Sequence, residues 1–184
     1  SEEDLWKNLR KIITQNNLSE IGEHPITDKE FDTIKTELLL KTQTPFDVAR
    51  WLKGENGIAR ITIEREDVSL GSMSLVLYSN QDIGGGISTY EVVHQIAKQK
   101  ATVDGRDRRF DVTLLINGLP IVQIELKQAS AKDGYFQAFN QIKKYAEEGM
   151  FRGNIFSTLQ LFVVSNEQTT RYFANAMPSD MHKK

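Results

Sequence analysis

The chain has 184 residues, of which 39% are hydrophobic and 26% charged, and its formal net charge is −2. This composition is typical of a folded domain and excludes a disordered chain, and the charge excludes a protein that binds nucleic acid through net charge alone. The absence of cysteine excludes disulfides, thiolate zinc sites and a thiol nucleophile, and the acidic start and lack of a long apolar run predict a cytoplasmic protein without a membrane span.

Three helices are predicted at the start of the chain. Apolar residues recur at helical spacing over Glu2–Gln15. A second helix is predicted to begin at Thr27, because Glu30 follows three residues later and completes a capping box. A third is predicted between Thr44, which a proline follows, and the stop signal Gly54.

The pattern then changes to period-2 alternation. Arg60–Glu64 and Ser74–Tyr78 are predicted to form a hairpin. We interpret Gly84–Gly86 as a flexible joint, since no Lys-Ser or Lys-Thr follows as a phosphate-binding loop requires. Thr89–Gln99 fits a helix or a strand, and Asp104–Arg106 is predicted to be a turn.

The clearest elements follow. Two strands, Phe110–Ile116 and Ile121–Lys127, are separated by a turn at Asn-Gly-Leu-Pro. A helix is predicted over Asp133–Glu148, and Leu159–Val164 is predicted to be a strand buried on both faces. The tail Met177–Lys184 is expected to be loose.

Alternation within this second hairpin gathers three charged residues. If the apolar faces of the two strands match, Asp111 lies on the polar side together with Glu125 and Lys127. Matching these faces requires a loop of odd length or a bulge, and Asp111 then lies directly across from Glu125.

Two carboxylates and a lysine suit metal-assisted hydrolysis of a phosphodiester. Asp111, Glu125 and the carbonyl oxygen of Leu126 are hard oxygen ligands of the kind that Mg²⁺ prefers. Lys127 can orient the attacking water or stabilise developing negative charge. The alternative is a cross-strand salt-bridge ladder on a solvated face, in a domain whose role is structural docking.

The following helix and the preceding loop carry further candidates. Gln141 and Tyr145 project from one helix face and suit contact with DNA, although, taken alone, an amphipathic helix packing Tyr145 on the sheet explains them better. A basic stretch before the hairpin fits either DNA contact or a solvated loop. It comprises Lys98, Lys100, Arg106, Arg108 and Arg109.

Together these motifs resemble a known family. The pattern Asp111, Glu125-Leu126-Lys127 and Gln141-x-x-x-Tyr145 resembles the PD-(D/E)xK nuclease superfamily in its RecB-like branch. The sequence from Phe110 to Lys127 resembles the N-terminal nuclease domain of the restriction (R) subunit of type I restriction enzymes. The strong resemblance covers about residues 89–175. It implies that Asp111 and Glu125 are metal ligands, that Lys127 is the catalytic lysine, and that Gln141 and Tyr145 support DNA at the cleavage site.

The resemblance also implies a fold and a molecular context. The expected fold class is α/β (α+β), with a restriction-endonuclease-like mixed central sheet flanked by helices and a helical N-terminal lead-in. We expect a single domain, 1–184, made of a lead-in with a hairpin (1–87), the PD-(D/E)xK core (88–175) and the tail (176–184). The resemblance also favours a strand for the ambiguous segment 89–99.

The expected function is Mg²⁺-dependent endonucleolytic cleavage of double-stranded DNA, with Mn²⁺ as an alternative metal. The expected partners are the methyltransferase and specificity subunits. ATP would act only in motor domains of a larger subunit, because this chain has no phosphate-binding loop of its own. The alternative is a catalytically degenerate DNA-binding or assembly module, which the uncertain fourth acid motivates. Candidates for that acid are Glu2, Glu3 and Glu37.

Overall fold

Side-chain caps determine where the N-terminal helices begin. In this computed structural model, which describes residues 1–80, 86, 88–99, 108–128, 134–166 and 168–176, Ser1 and Thr27 each form a full capping box. The Thr44 hydroxyl accepts from the backbone N–H of Asp47 at 3.1 Å. The three predicted helix starts are therefore confirmed. The helices of the described residues are α1 (Glu2–Asn16), α2 (Leu18–Ile21), α3 (Asp28–Lys41), α4 (Pro45–Lys53) and α5 (Gly134–Glu147).

The strands form two separate sheets. Within the described segments they are β1 (Ile58–Glu64), β2 (Ser72–Ser79), β3 (Tyr90–Lys98), β4 (Arg108–Ile116), β5 (Leu119–Leu126), β6 (Leu161–Ser165) and β7 (Thr170–Ala174). The first two strands pair as the predicted antiparallel hairpin. The others form a sheet in the order β3-β4-β5-β6-β7, in which only the β5–β6 pair is parallel.

This arrangement confirms the expected α+β class and the mixed central sheet. The ambiguous segment is a strand, as the resemblance favoured. α5 lies between β5 and β6 along the chain and supplies the crossover that a parallel pair requires. The predicted turn at Asp104–Arg106, the glycines Gly84 and Gly85, and the tail Met177–Lys184 lie outside the described residues.

A bulge sets the register of the β4–β5 hairpin. The turn consists of Asn117 and Gly118, both with positive φ (53° and 78°), which suits the twist of a two-residue hairpin. Leu114 pairs with Val122, whereas Leu115 pairs with Pro120, so that one extra residue lies in β5. Of the two ways in which the faces could be matched, a loop of odd length or a bulge, the structure has the bulge.

The prediction that β6 is buried on both faces is wrong. Phe162 and Val164 are buried, but Leu161 and Val163, on the other face, are only partly covered. The covered side packs against α5 and the aromatic core, as the contact of Phe162 with Phe151 at 5.1 Å shows. An apolar run alone does not tell how many faces the neighbouring elements cover.

The Asn117 side chain also forms hydrogen bonds that connect the two sheets. Its side-chain carbonyl accepts from the Thr89 N–H at 2.8 Å, and its amide donates to the Leu77 carbonyl of β2 at 3.2 Å. Asn117→Ala would remove both bonds inside the protein and place alanine in a left-handed conformation. We expect it to lower the free energy of unfolding by about 2–4 kcal/mol, measured by urea denaturation.

Asn117→Gly is the matched control, since it loses the same hydrogen bonds but glycine adopts the left-handed backbone conformation without strain. It should be more stable than the alanine variant by about 1 kcal/mol. An alanine variant as stable as the wild type would contradict this role.

Candidate active site

The first two candidate residues meet where β4 and β5 face each other. Val112 pairs with Ile124, and continuing that register by one residue places Asp111 opposite Glu125. The Asp111 carboxylate also accepts from the backbone N–H of Leu126 at 2.8 Å. The register expected from the sequence is thus the one found, and it places the two carboxylates side by side.

The polar side of this hairpin is the covered side of the sheet. Gln123 and Glu125 are fully buried, as is Thr113 on β4, whereas Val112 and Leu114 are only partly buried. A ladder of surface ion pairs on a solvated face is therefore wrong for this hairpin. The cause is tertiary, because α5 packs its buried residues Ala138, Ile142 and Tyr145 over this side.

A chain of polar contacts crosses the covered face to Glu125. The Thr113 hydroxyl donates to the Gln123 side-chain oxygen at 2.7 Å, and the Gln123 amide donates to Glu125 Oε1 at 3.2 Å. The sequence analysis assigned no role to Thr113 or Gln123. The sequence does contain a signal for Gln123, which is a polar residue two positions before Glu125 and therefore on the same face of the strand.

Burial changes the protonation of Glu125. Desolvation, reinforced by the negative charge of Asp111, raises the pKa of the Glu125 carboxyl to about 8, while the Gln123 hydrogen bond and the Lys127 charge act in the opposite direction. Two adjacent carboxylates in a site shielded from water favour the bound proton, or a cation in its place.

Gln141 of α5 joins the remaining candidates to this pair. Its side-chain oxygen accepts from Lys127 Nζ at 2.5 Å, and its amide nitrogen donates to Glu125 Oε2 at 2.9 Å. The same nitrogen donates to the Tyr145 hydroxyl. The structure thus brings together all five residues that the sequence analysis singled out as site residues.

Tyr145 lies inside the protein, with 4% of its surface exposed. Its ring packs 5.5 Å from Phe110, as the alternative of an amphipathic helix packed on the sheet anticipated. Its hydroxyl nevertheless reaches Gln141, so packing and a contribution to the site are combined in one side chain.

Two of the three candidates for a fourth acid form ion pairs with lysines. Glu2 pairs with Lys98, and Glu3 pairs with Lys7 at 2.6 Å. Glu37 is partly exposed on α3. Among the residues that the structure describes, no three His, Cys, Asp or Glu side chains form a group that could hold a metal ion.

The basic stretch is divided by the fold. Lys98 is buried and pairs with Glu2, and Arg108 pairs with Glu148, whereas Arg109 is exposed. Lys100 and Arg106 lie outside the described residues. The stretch is therefore not one continuous solvated surface.

The fold and the site define an α+β domain in which two facing carboxylates and a lysine meet beneath a helix. The sequence profile of the family described as the type I restriction enzyme R protein N terminus matches residues 1–180. The chain belongs to this family, which confirms the resemblance to the N-terminal domain of type I restriction R subunits.

Individual relatives are similar over most of the chain. An endonuclease subunit of a type I restriction enzyme from Staphylococcus aureus (strain MSSA476) is 32% identical over 171 residues, which cover 93% of this chain and 16% of that protein. One from Staphylococcus saprophyticus is 32% identical over 175 residues, 95% of this chain and 17% of that protein.

A third relative is more similar over a shorter stretch. The EcoprrI endonuclease subunit from Escherichia coli is 47% identical over 87 residues, 47% of this chain and 27% of that protein. The chain thus spans about a sixth of the length of the staphylococcal relatives. None of the helices in the described part of the chain has the length and apolar character needed to cross a membrane.

The raised pKa of Glu125 predicts a pH-dependent stability in the presence of a chelator. Between the ordinary carboxyl pKa near 4.5 and the folded value of about 8, the folded state binds more protons than the unfolded state. Stability from this group is therefore complete below pH 4.5 and is lost as the pH rises towards 8.

Glu125→Gln should remove this pH dependence, since an amide does not ionise but can still donate to Asp111. The difference in free energy of unfolding, wild type minus variant, should fall with pH by up to about 1.4 kcal/mol per unit. Urea denaturation at several pH values measures it. A difference that stays constant between pH 5 and 8 would contradict the assignment.

Proposed function

We propose that this chain is a Mg²⁺-dependent endonuclease domain that hydrolyses phosphodiester bonds of double-stranded DNA within a type I restriction R subunit. The observation that supports this most directly is the buried Glu125 beside Asp111, with Gln141 joining Glu125 to Lys127. The names of the relatives, which are endonuclease subunits, support the same reaction class.

The residues present fit a hard divalent cation. Asp111, Glu125 and the Leu126 carbonyl offer oxygen ligands, and a cation would compensate for the burial and the Asp111 charge that raise the pKa of Glu125. We therefore assign Asp111 and Glu125 as the side chains that would hold Mg²⁺, or Mn²⁺ in its place. A bound Mg²⁺ would lower the pKa of a water molecule and offset charge on the scissile phosphate.

The other residues have roles that follow from their contacts. Lys127, held by the Gln141 oxygen at 2.5 Å, keeps its ammonium beside Glu125, where it orients the attacking water or stabilises negative charge on the phosphate oxygens. Gln141 fixes both groups. Tyr145, being buried, supports DNA handling through Gln141 rather than by lying on the surface.

The proposal extends to the longer protein. In the R subunit, ATP would be used by motor domains outside this chain, and the methyltransferase and specificity subunits would complete the complex on DNA. Sequence recognition would then reside in another subunit, and the complex would act in the cytoplasm.

A second candidate function is a DNA-binding or assembly module that keeps the fold without catalysis. The observation that favours it is that no third acid joins Asp111 and Glu125 among the described residues. Such a module would bind double-stranded DNA without cutting it, with or without a divalent cation.

Nicking of supercoiled plasmid with Mg²⁺ or Mn²⁺ separates the two functions. Lys127→Ala should lower the nicking rate by about 100-fold or more, because one charge-stabilising donor is lost from the reaction centre. Lys53→Ala, an exposed lysine at the end of α4, is the matched control and should cut like the wild type.

Equal cutting by the Lys127→Ala protein would contradict the assignment of Lys127 to the reaction centre. DNA binding without cutting, both in the isolated chain and in the full-length subunit with its partners, would favour the module instead.

A further inference from the structure

An ion pair outside the catalytic cluster contacts its tyrosine. Arg108 lies three residues before Asp111, yet its guanidinium turns to Glu148, just after the end of α5. Arg108 Nε donates to Glu148 Oε2 at 3.0 Å and Nη2 donates to Oε1 at 2.5 Å. Two parallel hydrogen bonds fix the plane of the guanidinium. A lysine ammonium at this position would have no such plane to be fixed.

The fixed guanidinium lies over the ring of Tyr145. The Arg108 guanidinium carbon is 5.2 Å from the ring centroid, within the range of a cation–π contact. Phe110 and Phe151 contact the same ring, with centroids at 5.5 and 6.3 Å. The tyrosine is therefore held by packing as well as by the ion pair, and its hydroxyl has a fixed position.

That hydroxyl is one of three groups that hold the Gln141 amide, together with Glu125 and Lys127. With the amide nitrogen donating to Tyr145 and to Glu125, the amide oxygen is left to accept from Lys127. A flipped amide would point its N–H groups at the Lys127 ammonium, which has no acceptor. The position of the tyrosine thus bears on both the lysine and the buried carboxylate.

We propose that the Arg108–Glu148 pair is a positioning device for the reaction centre, acting through Tyr145 and Gln141 on Lys127 and Glu125. This inference rests on the proposed nuclease function. It assigns Arg108 a role other than DNA contact, because its guanidinium is engaged by Glu148 and both side chains are less than a fifth exposed.

The placement of Glu148 supports a role beyond stability. A carboxylate just beyond the C-terminal end of a helix is disfavoured by the helix dipole, and an ion pair shielded from water gains little net stability because the cost of desolvation offsets the attraction. What the pair does provide is a defined geometry around one ring. Residues that orient the groups of a reaction centre from outside it typically change activity by 10- to 100-fold when they are replaced.

The test uses Arg108→Met, Glu148→Gln and the double variant. Each single change should lower the turnover of plasmid nicking by about 10- to 100-fold with DNA affinity unchanged, and the double variant should be no worse than the worse single variant. Arg108→Lys, which keeps the charge but not the fork, should remain impaired. Arg109→Met removes an exposed arginine from the same strand and is the control for loss of charge.

A second readout does not depend on cutting. The side-chain amide resonances of Gln141, identified by their loss in Gln141→Ala, should shift in the ¹⁵N spectrum of both single variants. They should not shift in Arg109→Met. Thermal unfolding of each variant checks that the fold is retained, and Glu148→Gln carries the test if Arg108→Met does not fold.

The outcomes are distinct. Unchanged Gln141 resonances would overturn the positioning role whether or not the chain cuts DNA. Weaker DNA binding in Arg108→Met, with Glu148→Gln cutting normally, would also overturn it and make Arg108 a DNA contact. If the Gln141 resonances shift in both single variants but the wild-type protein never cuts DNA, the positioning role is supported and the result counts against the proposed nuclease function.

Discussion

The burial of the Glu125 carboxylate beside Asp111 is the constraint on which the rest of the site depends. A carboxylate removed from water costs several kcal/mol unless hydrogen bonds or an opposite charge compensate. Here Gln123 and Gln141 each donate to one of its oxygens, and the second of these donors comes from α5. The crossover helix therefore covers the sheet and also completes the polar environment of one buried acid.

That environment leaves burial and charge in conflict at Glu125. Burial, reinforced by the negative charge of Asp111, raises the pKa of Glu125 to about 8, so at neutral pH the folded chain holds a proton that the unfolded chain would release. Functional sites are where such local conflicts are expected, because the surrounding core compensates for them. The aromatic cluster of Phe110, Phe151 and Phe162 is part of that core.

Features encoded by neighbouring residues could be predicted, and features set by distant packing could not. Thr27 and Thr44 mark helix starts, and alternation in the hairpin required an odd loop or a bulge, either of which places Asp111 across from Glu125. The hairpin pattern did not reveal that its polar face is the covered one, because α5 decides that. The same limit explains the error on β6, the missed role of Gln123 and the pairing of Arg108 with Glu148, forty residues apart along the chain.

Calorimetric titration of Mg²⁺ at pH 7, repeated in two buffers of different ionisation enthalpy, tests the central claim most directly. If Asp111 and Glu125 are the metal ligands, binding must displace the proton from Glu125. We expect close to one proton released per ion in the wild type, that is, about 0.9, and markedly weaker binding in Asp111→Asn. Binding without proton release, or equal affinity in the Asp111→Asn protein, would contradict a metal site at this carboxylate pair.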